Sequence, residues 1–359
     1  MKPSTTTKTN KIFFVHPSLL GGGAERVAIS LGSYFVNHGY DFSFLLTKSK
    51  ERKYEVPNGI KVIEQHADWD MSPISQIKLI RKYMKGRPDA AFISFLPHQN
   101  MYTLLASIGL SNQVIISVRN DPRYDFPGNR LLPIVRNMLY TRADSIVFQT
   151  NEQRKLLPAF LRGKGPQILN PLSSLIPDPY EGQRRNAIVT SGRLEKQKNH
   201  EMTIRAFAKF HKEHPQYTLE IFGEGTQFGF LKSLVEDCGI SNSVSFRGFS
   251  PDSIEHVRTC AAFVMSSRFE GLSNAMLESL CMGVPTVCTR CGGGGSEAVI
   301  VDGLNGMLID VDDVDGEAAA LEKIVDDPHF SLGISKEASK LKDQLSLESV
   351  GAHWEGLLR

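Results

Sequence analysis

The sequence predicts an α/β protein of two doubly wound, Rossmann-like domains that face a central cleft. Three observations predict it. The chain has 359 residues, which suits two domains of ~150–200 residues each. Short apolar runs alternate with stretches of helical spacing along the chain, the pattern of βαβ units around parallel sheets. A Pro-, Gly- and Ser-rich segment at 163–179 interrupts that alternation and reads as a hinge. The expected domains are therefore residues 1–170 and 171–345, followed by a terminal helix at 346–359.

In the first domain Lys11 to His16, KIFFVH, reads as a buried parallel strand. Gly21, Gly22 and Gly23 follow, then a helical pattern over 24–36. Strand, glycines and helix are the layout of a phosphate-binding loop. The spacing is neither GxGxxG nor a P-loop, and a plain tight turn fits the same residues. Arg26 is a candidate ligand contact or a solvated helix residue. Further strands are expected at 42–46, 61–63, 90–95, 114–118 and 145–148, with a helix over 74–84. Ligands bind at the carboxyl ends of such strands. His98 in FLPHQN and Arg119 and Asn120 in SVRNDP occupy such exits. They are substrate candidates, although a loop His or Arg is as readily a surface residue.

In the second domain a strand at 187–191 runs into Gly192-Arg193-Leu194-Glu195-Lys196-Gln197-Lys198-Asn199, and a helix is expected over 202–210. Two cations on one strand-to-helix loop favour an anion such as a diphosphate. A strand at 218–222 ends in Gly223-Glu224-Gly225, and one at 244–246 in Arg247-Gly248-Phe249. The strand at 261–265 leads to Glu270, Gly271, Leu272, Ser273 and Asn274. Ser273 or Asn274 can cap a helix over 275–282, in which Met276, Leu277 and Leu280 face inward and Glu278 lies about one turn in. A glycine turn before a helix N-terminus suits an anion, and carboxylates accept bonds from sugar hydroxyls. Taken alone, Glu270 and Glu278 read equally well as a surface glutamate and a helix-face glutamate. After a strand at 284–288, Cys291 to Ser296, CGGGGS, is expected to be a mobile loop before Glu297.

Composition excludes several classes. No apolar run approaches ~18 residues, so no membrane-spanning helix is expected. Met1 to Asn10 lacks the apolar core of a signal peptide, and a cytoplasmic location is expected. The five cysteines, Cys238, Cys260, Cys281, Cys288 and Cys291, are odd in number and all lie in the second half. Cys288 and Cys291 lack a second ligand pair, so neither a metal nor a disulfide framework is expected. The net charge of +2 conceals an asymmetry: residues 1–170 carry 23 Lys+Arg against 12 Asp+Glu, and residues 171–359 carry 18 against 27. The basic half calls for an anionic partner. Between Arg119 and Lys164, Arg130 and Arg136 interleave with Leu131, Leu132, Ile134, Val135, Met138 and Leu139. That stretch fits an amphipathic helix on anionic lipid or a sheet-covering helix with a wet basic edge. Nucleic acid is not an expected partner, because the basic residues are dispersed and no binding module is evident.

Glu270-x7-Glu278 resembles the E-x7-E signature of retaining glycosyltransferase family 4. The resemblance runs from Gly21 to about Asp310 and is strongest between Ser191 and Gly306. It implies the GT-B fold and transfer of a sugar from a nucleotide-sugar, UDP first, to an acceptor hydroxyl with retention of configuration. It implies that Glu270 faces the donor sugar and that Glu278 holds the ribose hydroxyls. Arg193 and Lys198 match the family's G-R-x4-K pattern, which neutralises the departing diphosphate. Gly22, Gly23, Gly271, Leu272, Ser273 and Asn274 would border the donor, and Arg247, Gly248 and Phe249 would present backbone groups to the base. Glu297 and the turn at 302–306 match as well. Many members place a histidine where this chain has Arg119, so no histidine role passes to His98. The resemblance implies no cofactor and no obligatory metal, and a last helix that returns to the first domain. With the basic first half it points to a membrane-associated acceptor at an anionic surface, a polyprenyl-diphosphate-linked sugar in envelope polysaccharide or glycan synthesis. The alternatives are a soluble acceptor or a dinucleotide-binding oxidoreductase, and the glycine spacing disfavours the latter.

Overall fold

The structure is a computed structural model, and it describes residues 9–48, 55–65, 70–173, 176–250 and 253–359. The chain forms two units, Met1–Ser173 with Leu345–Arg359, and Ser174–Gln344.

In the first unit the apolar runs become β1 (Lys11–His16), β2 (Asp41–Leu46), β3 (Lys61–Ile63), β4 (Ala91–Ser94), β5 (Gln113–Val118) and β6 (Ser145–Phe148). They form one parallel sheet in the order β3-β2-β1-β4-β5-β6. The helices are α1 (Gly23–Asn37), α2 (Pro73–Gly86), α3 (Pro97–Ala106), α4 (Leu132–Tyr140), α5 (Asn151–Leu156) and α6 (Ala159–Arg162). Strand side chains alternate between faces, and both faces of this sheet are covered. Ile12 and Phe14 pack with Phe35, Phe42 and Phe44 in one core. Phe13 and Val15 pack with Ile80, Phe92 and Tyr140 in another. That double burial is why KIFFVH reads as an unbroken apolar run.

The second unit contains β7 (Arg185–Ser191), β8 (Thr218–Phe222), β9 (Val244–Gly248), β10 (Cys260–Met265), β11 (Thr286–Thr289) and β12 (Met307–Ile309). Its sheet is parallel with the order β12-β11-β10-β7-β8-β9. Its helices are α7 (His200–Glu213), α8 (Phe228–Asp237), α9 (Ser253–Thr259), α10 (Asn274–Cys281), α11 (Val314–Asp326), α12 (Pro328–Ser339) and α13 (Leu341–Gln344). Both sheets have the doubly wound order in which the first and fourth strands lie side by side. The chain reverses its winding there, and that switch point opens a crevice at the carboxyl ends of the two strands.

The last helix, α14 (Leu347–Glu355), belongs to the first unit. Trp354 is buried against Phe95, with ring centroids 5.7 Å apart. Glu355 accepts hydrogen bonds from Tyr34 at 3.0 Å and Tyr40 at 2.9 Å.

Helix α4 differs from the sequence reading in one respect. Arg136 does not lie on a wet edge: it is 4% exposed and pairs with Asp125 at 2.5 Å. The Pro122 carbonyl accepts a second bond from it at 2.8 Å. Leu131, Ile134, Val135 and Met138 point to solvent instead.

Candidate active site

In the second unit the switch point lies between β7 and β10, so the loops that leave these strands are neighbours. Gly192 to Asn199 leave β7, and Ser266 to Ser273 leave β10. Backbone and side-chain bonds join them. Arg268 N donates to the Gln197 carbonyl at 2.8 Å, and Gln197 Nε2 donates to the Phe269 carbonyl at 2.9 Å. Arg268 also donates to Asn199 Oδ1 at 3.0 Å and pairs with Asp312 at 2.5 Å. Across this junction Lys198 Nζ donates to Glu270 Oε2. The two side chains are only 15% and 16% exposed. Burial of that degree makes either charge costly without the other or a replacement ion. Arg193, on the same loop as Lys198, is exposed.

Close backbone packing sets these loops. A Cβ on Gly295 would lie 1.8 Å from the Gly271 carbonyl oxygen. The glycine-rich stretch is therefore packed against the Glu270 loop, with Gly293, Gly294 and Gly295 buried, where the sequence reading expected a mobile loop. Glu270 N donates to the Gly292 carbonyl at 2.8 Å. Ser273 is the N-cap of α10, although its side chain makes no capping bond. Leu272, Ser273 and Glu278 are buried, while Asn274 is half-buried.

Beneath the site lies a polar chain that the sequence did not disclose. Ser266 donates to Glu317 Oε2 at 2.6 Å, and the Thr203 and Ser266 hydroxyls are 2.8 Å apart. Burial pushes the Glu317 carboxyl up to about 7, against hydrogen bonds from Ser266 and Thr203. His200, the first residue of α7, is buried beside the Gly192 and Arg193 backbone, and burial pushes its imidazole down to about 4.

Arg247 stands apart from the Lys198–Glu270 pair. Its guanidinium bonds Glu220 at 3.2 Å, which also holds Arg185 at 3.1 Å and His256 at 2.7 Å. The Gly248 carbonyl accepts from Gly223 N at 2.8 Å, and Phe249 is 70% exposed.

The remaining candidates belong to the first unit, at the exits of β1, β4 and β5. Gly22 is the N-cap of α1 and Gly23 its first residue. His16 Nδ1 lies 2.7 Å from the Ser18 carbonyl, so that nitrogen carries the proton. Arg119 donates to Asn170 Oδ1 at 2.6 Å and stacks on the Phe95 ring at 4.3 Å. Among the described residues no carboxylate pairs with it, and burial pushes its guanidinium down to about 9. His98 is exposed and meets the Phe126 ring edge-on at 5.0 Å. Asn120 Oδ1 accepts from Asp121 N at 2.9 Å.

Among the described residues, no group of three or more His, Cys, Asp or Glu side chains is placed to hold a metal ion. Cys288 and Cys291 are buried free thiols, and burial pushes Cys291 up to about 12.

Residues 177–342 match the family model of the glycosyl transferases group 1. That match supports a glycosyltransferase. An uncharacterized glycosyltransferase of Haemophilus influenzae is 23% identical over 351 residues, covering 96% of this chain and 99% of that one. The Campylobacter jejuni GalNAc-alpha-(1->4)-GalNAc-alpha-(1->3)-diNAcBac-PP-undecaprenol alpha-1,4-N-acetyl-D-galactosaminyltransferase is 25% identical over 362 residues, covering 97% and 98%. Among solved structures, sucrose-phosphate synthase from Thermosynechococcus elongatus superposes with a TM-score of 0.83 at 15% identity, covering 97% of this chain and 98% of that one. Anabaena HepE in complex with UDP and glucose gives 0.81 at 17% identity, covering 95% and 97%. The fold is GT-B, with one parallel six-stranded sheet in each Rossmann-like unit.

Proposed function

We propose that the protein is a retaining family 4 enzyme that moves a hexose or N-acetylhexosamine from a UDP-sugar to a hydroxyl of a membrane-associated, polyprenyl-diphosphate-linked glycan. The observation that carries this reading is the Lys198–Glu270 contact at the switch point of the second unit, with Arg193 on the same loop. Departure of a nucleoside diphosphate builds negative charge on its bridging oxygen. Lys198 and Arg193 would receive that charge, and preorganised charge of this kind is a large term in catalysis. Lys198 would then exchange Glu270 for phosphate. Glu270, released, would accept hydroxyl bonds from the donor sugar, and Glu278 would accept them from the ribose. Acceptor attack on the face that the diphosphate leaves gives retention without a protein nucleophile. No cofactor takes part, because the nucleotide-sugar is itself a substrate.

UDP as the donor nucleotide is supported by HepE, whose structure contains UDP and glucose. The acceptor class is supported by the Campylobacter relative, whose name specifies an undecaprenol-linked diphosphate glycan. Arg119 adds to this, because a guanidinium with one neutral acceptor out of five possible N–H bonds suits an anionic group on a substrate. The enzyme would work at the cytoplasmic face of a membrane, bound peripherally. Among the described residues no helix is long and apolar enough to cross a bilayer.

Mass spectrometry after incubation with UDP-, GDP- and ADP-sugars and a lipid-linked saccharide tests the reading. The expected result is a gain of one hexose or N-acetylhexosamine from a UDP-sugar. No gain from any donor contradicts it.

A further inference from the structure

Helix α4 carries apolar side chains on two faces, one packed on the core through Leu139 and Tyr140 and one turned outward. Leu131, Ile134, Val135 and Met138 follow the i, i+3, i+4, i+7 spacing of one helical face. They are 72%, 56%, 43% and 67% exposed. The inward side carries the buried Arg136, paired with Asp125, together with Tyr140. Leu139 packs toward the core, so the four outward residues are a second apolar face, and that face gains nothing from water. Four large apolar residues on a single face mark a covered surface rather than scattered exposure.

Charge identifies what covers it. Residues 126–143 contain Arg130, Arg136 and Arg142 and no Asp or Glu. With Arg136 buried, the exposed Arg130 and Arg142 bracket the apolar face at its two ends. Asn129 fixes the start of the helix by accepting from Leu131 N at 3.0 Å and Leu132 N at 2.9 Å. Lys164 Nζ donates to the Thr141 carbonyl and adds a further cation at the helix end. An aliphatic ridge bracketed by cations matches a bilayer interface, where acyl chains take the ridge and anionic headgroups take the arginines.

We propose that the outer face of α4 docks on an anionic phospholipid bilayer by inserting Leu131, Ile134, Val135 and Met138 at the headgroup boundary. The inference deepens the membrane-associated reading above and rests on it. It assigns the insertion to the exposed aliphatic edge and leaves the buried Arg136 out of the lipid contact.

The test is sedimentation of the full chain with vesicles of phosphatidylglycerol and phosphatidylcholine, and with phosphatidylcholine alone. The natural chain should bind the anionic vesicles, less tightly as salt rises. Ile134→Asp combined with Met138→Asp should weaken that binding by more than about tenfold, because two aliphatic groups leave the interface. Arg130→Glu combined with Arg142→Glu should also weaken it and remove the salt dependence. Both variants change exposed side chains, so their thermal unfolding should match the natural chain. Binding of the Ile134/Met138 variant at the natural affinity overturns insertion, even if the arginine variant fails to bind. A natural chain that ignores both vesicles overturns the proposal. So does a natural chain that forms a dimer in analytical ultracentrifugation which the Ile134/Met138 variant cannot form, since a second copy then covers the face. UDP affinity, measured by calorimetry without lipid, should be the same in the natural chain and both variants. A chain that binds vesicles as expected but no nucleotide leaves the docking face intact and overturns the enzymatic reading instead.

Discussion

Lys198 and Glu270 meet across 72 residues of sequence, and each is the other's counter-ion. Charge-assisted bonds to phosphate contribute ~1.5–3 kcal/mol each. Lys198→Ala should therefore weaken UDP binding by at least about tenfold in calorimetry, and an unchanged affinity would remove Lys198 from the diphosphate site. The glutamates should separate. Glu278→Gln is expected to weaken nucleotide binding at near-normal turnover, whereas Glu270→Gln is expected to lower turnover at near-normal UDP affinity. Equal losses of affinity with turnover intact would refute that division. The candidates Arg193, Lys198, Glu270 and Glu278 were legible in the sequence because each sits at a strand exit or one helical turn beyond it. Their neighbours were not. Asn199 to Asp312 and Ser266 to Glu317 are contacts over 113 and 51 residues, and neither propensity nor spacing encodes such pairings. Arg136 misled for a related reason, because its partner Asp125 lies in the preceding loop and draws the charge inward.

At the scale of elements, the stretch CGGGGS shows how composition can mislead. Glycine permits both mobility and close approach, and here close approach decides. Gly295→Ala places a methyl group against the Gly271 carbonyl. The loop that carries Glu270 must then shift, at a cost of ~1–3 kcal/mol in urea denaturation, with turnover reduced alongside. Natural stability and turnover in that variant would show that the packing is not required. Helix α11 gives a pH prediction. The Glu317 carboxyl is raised from an ordinary 4.5 to about 7 by burial. A group raised in the folded state contributes stability that is whole below about pH 4.5 and is lost as pH rises through about 7. For one buried group the loss is on the order of 3 kcal/mol, at ~1.4 kcal/mol per pH unit. Glu317→Gln should flatten the stability profile between those limits in denaturant titrations at stepped pH. A profile identical to that of the natural chain would contradict a buried neutral carboxyl.

For the whole molecule, the fold class was legible because buried parallel strands leave continuous apolar runs between helical patterns. The doubly wound class was legible with it, but the pairing of individual strands was not, since β3-β2-β1-β4-β5-β6 and β12-β11-β10-β7-β8-β9 depend on which runs meet. The last helix shows the same limit, because nothing local to residues 347–355 names Phe95 or Tyr34 as its partners. Trp354→Ala should destabilise the first unit by ~3–5 kcal/mol. Hydrogen exchange should rise across β1, β4 and α1 and stay unchanged in β7 and β10. Uniform loss of protection in both units would contradict that assignment. Charge divides along similar lines, with residues 1–170 basic and residues 171–359 acidic, as expected if the first unit receives an anionic acceptor. Retaining transfer from a UDP-sugar is tested most directly by proton NMR of the glycosidic linkage formed on the acceptor from a UDP-α-sugar. The new linkage should be α, formed at a rate that falls sharply in Lys198→Ala. A β linkage, or the absence of any transfer from UDP-, GDP- and ADP-sugars, would contradict it.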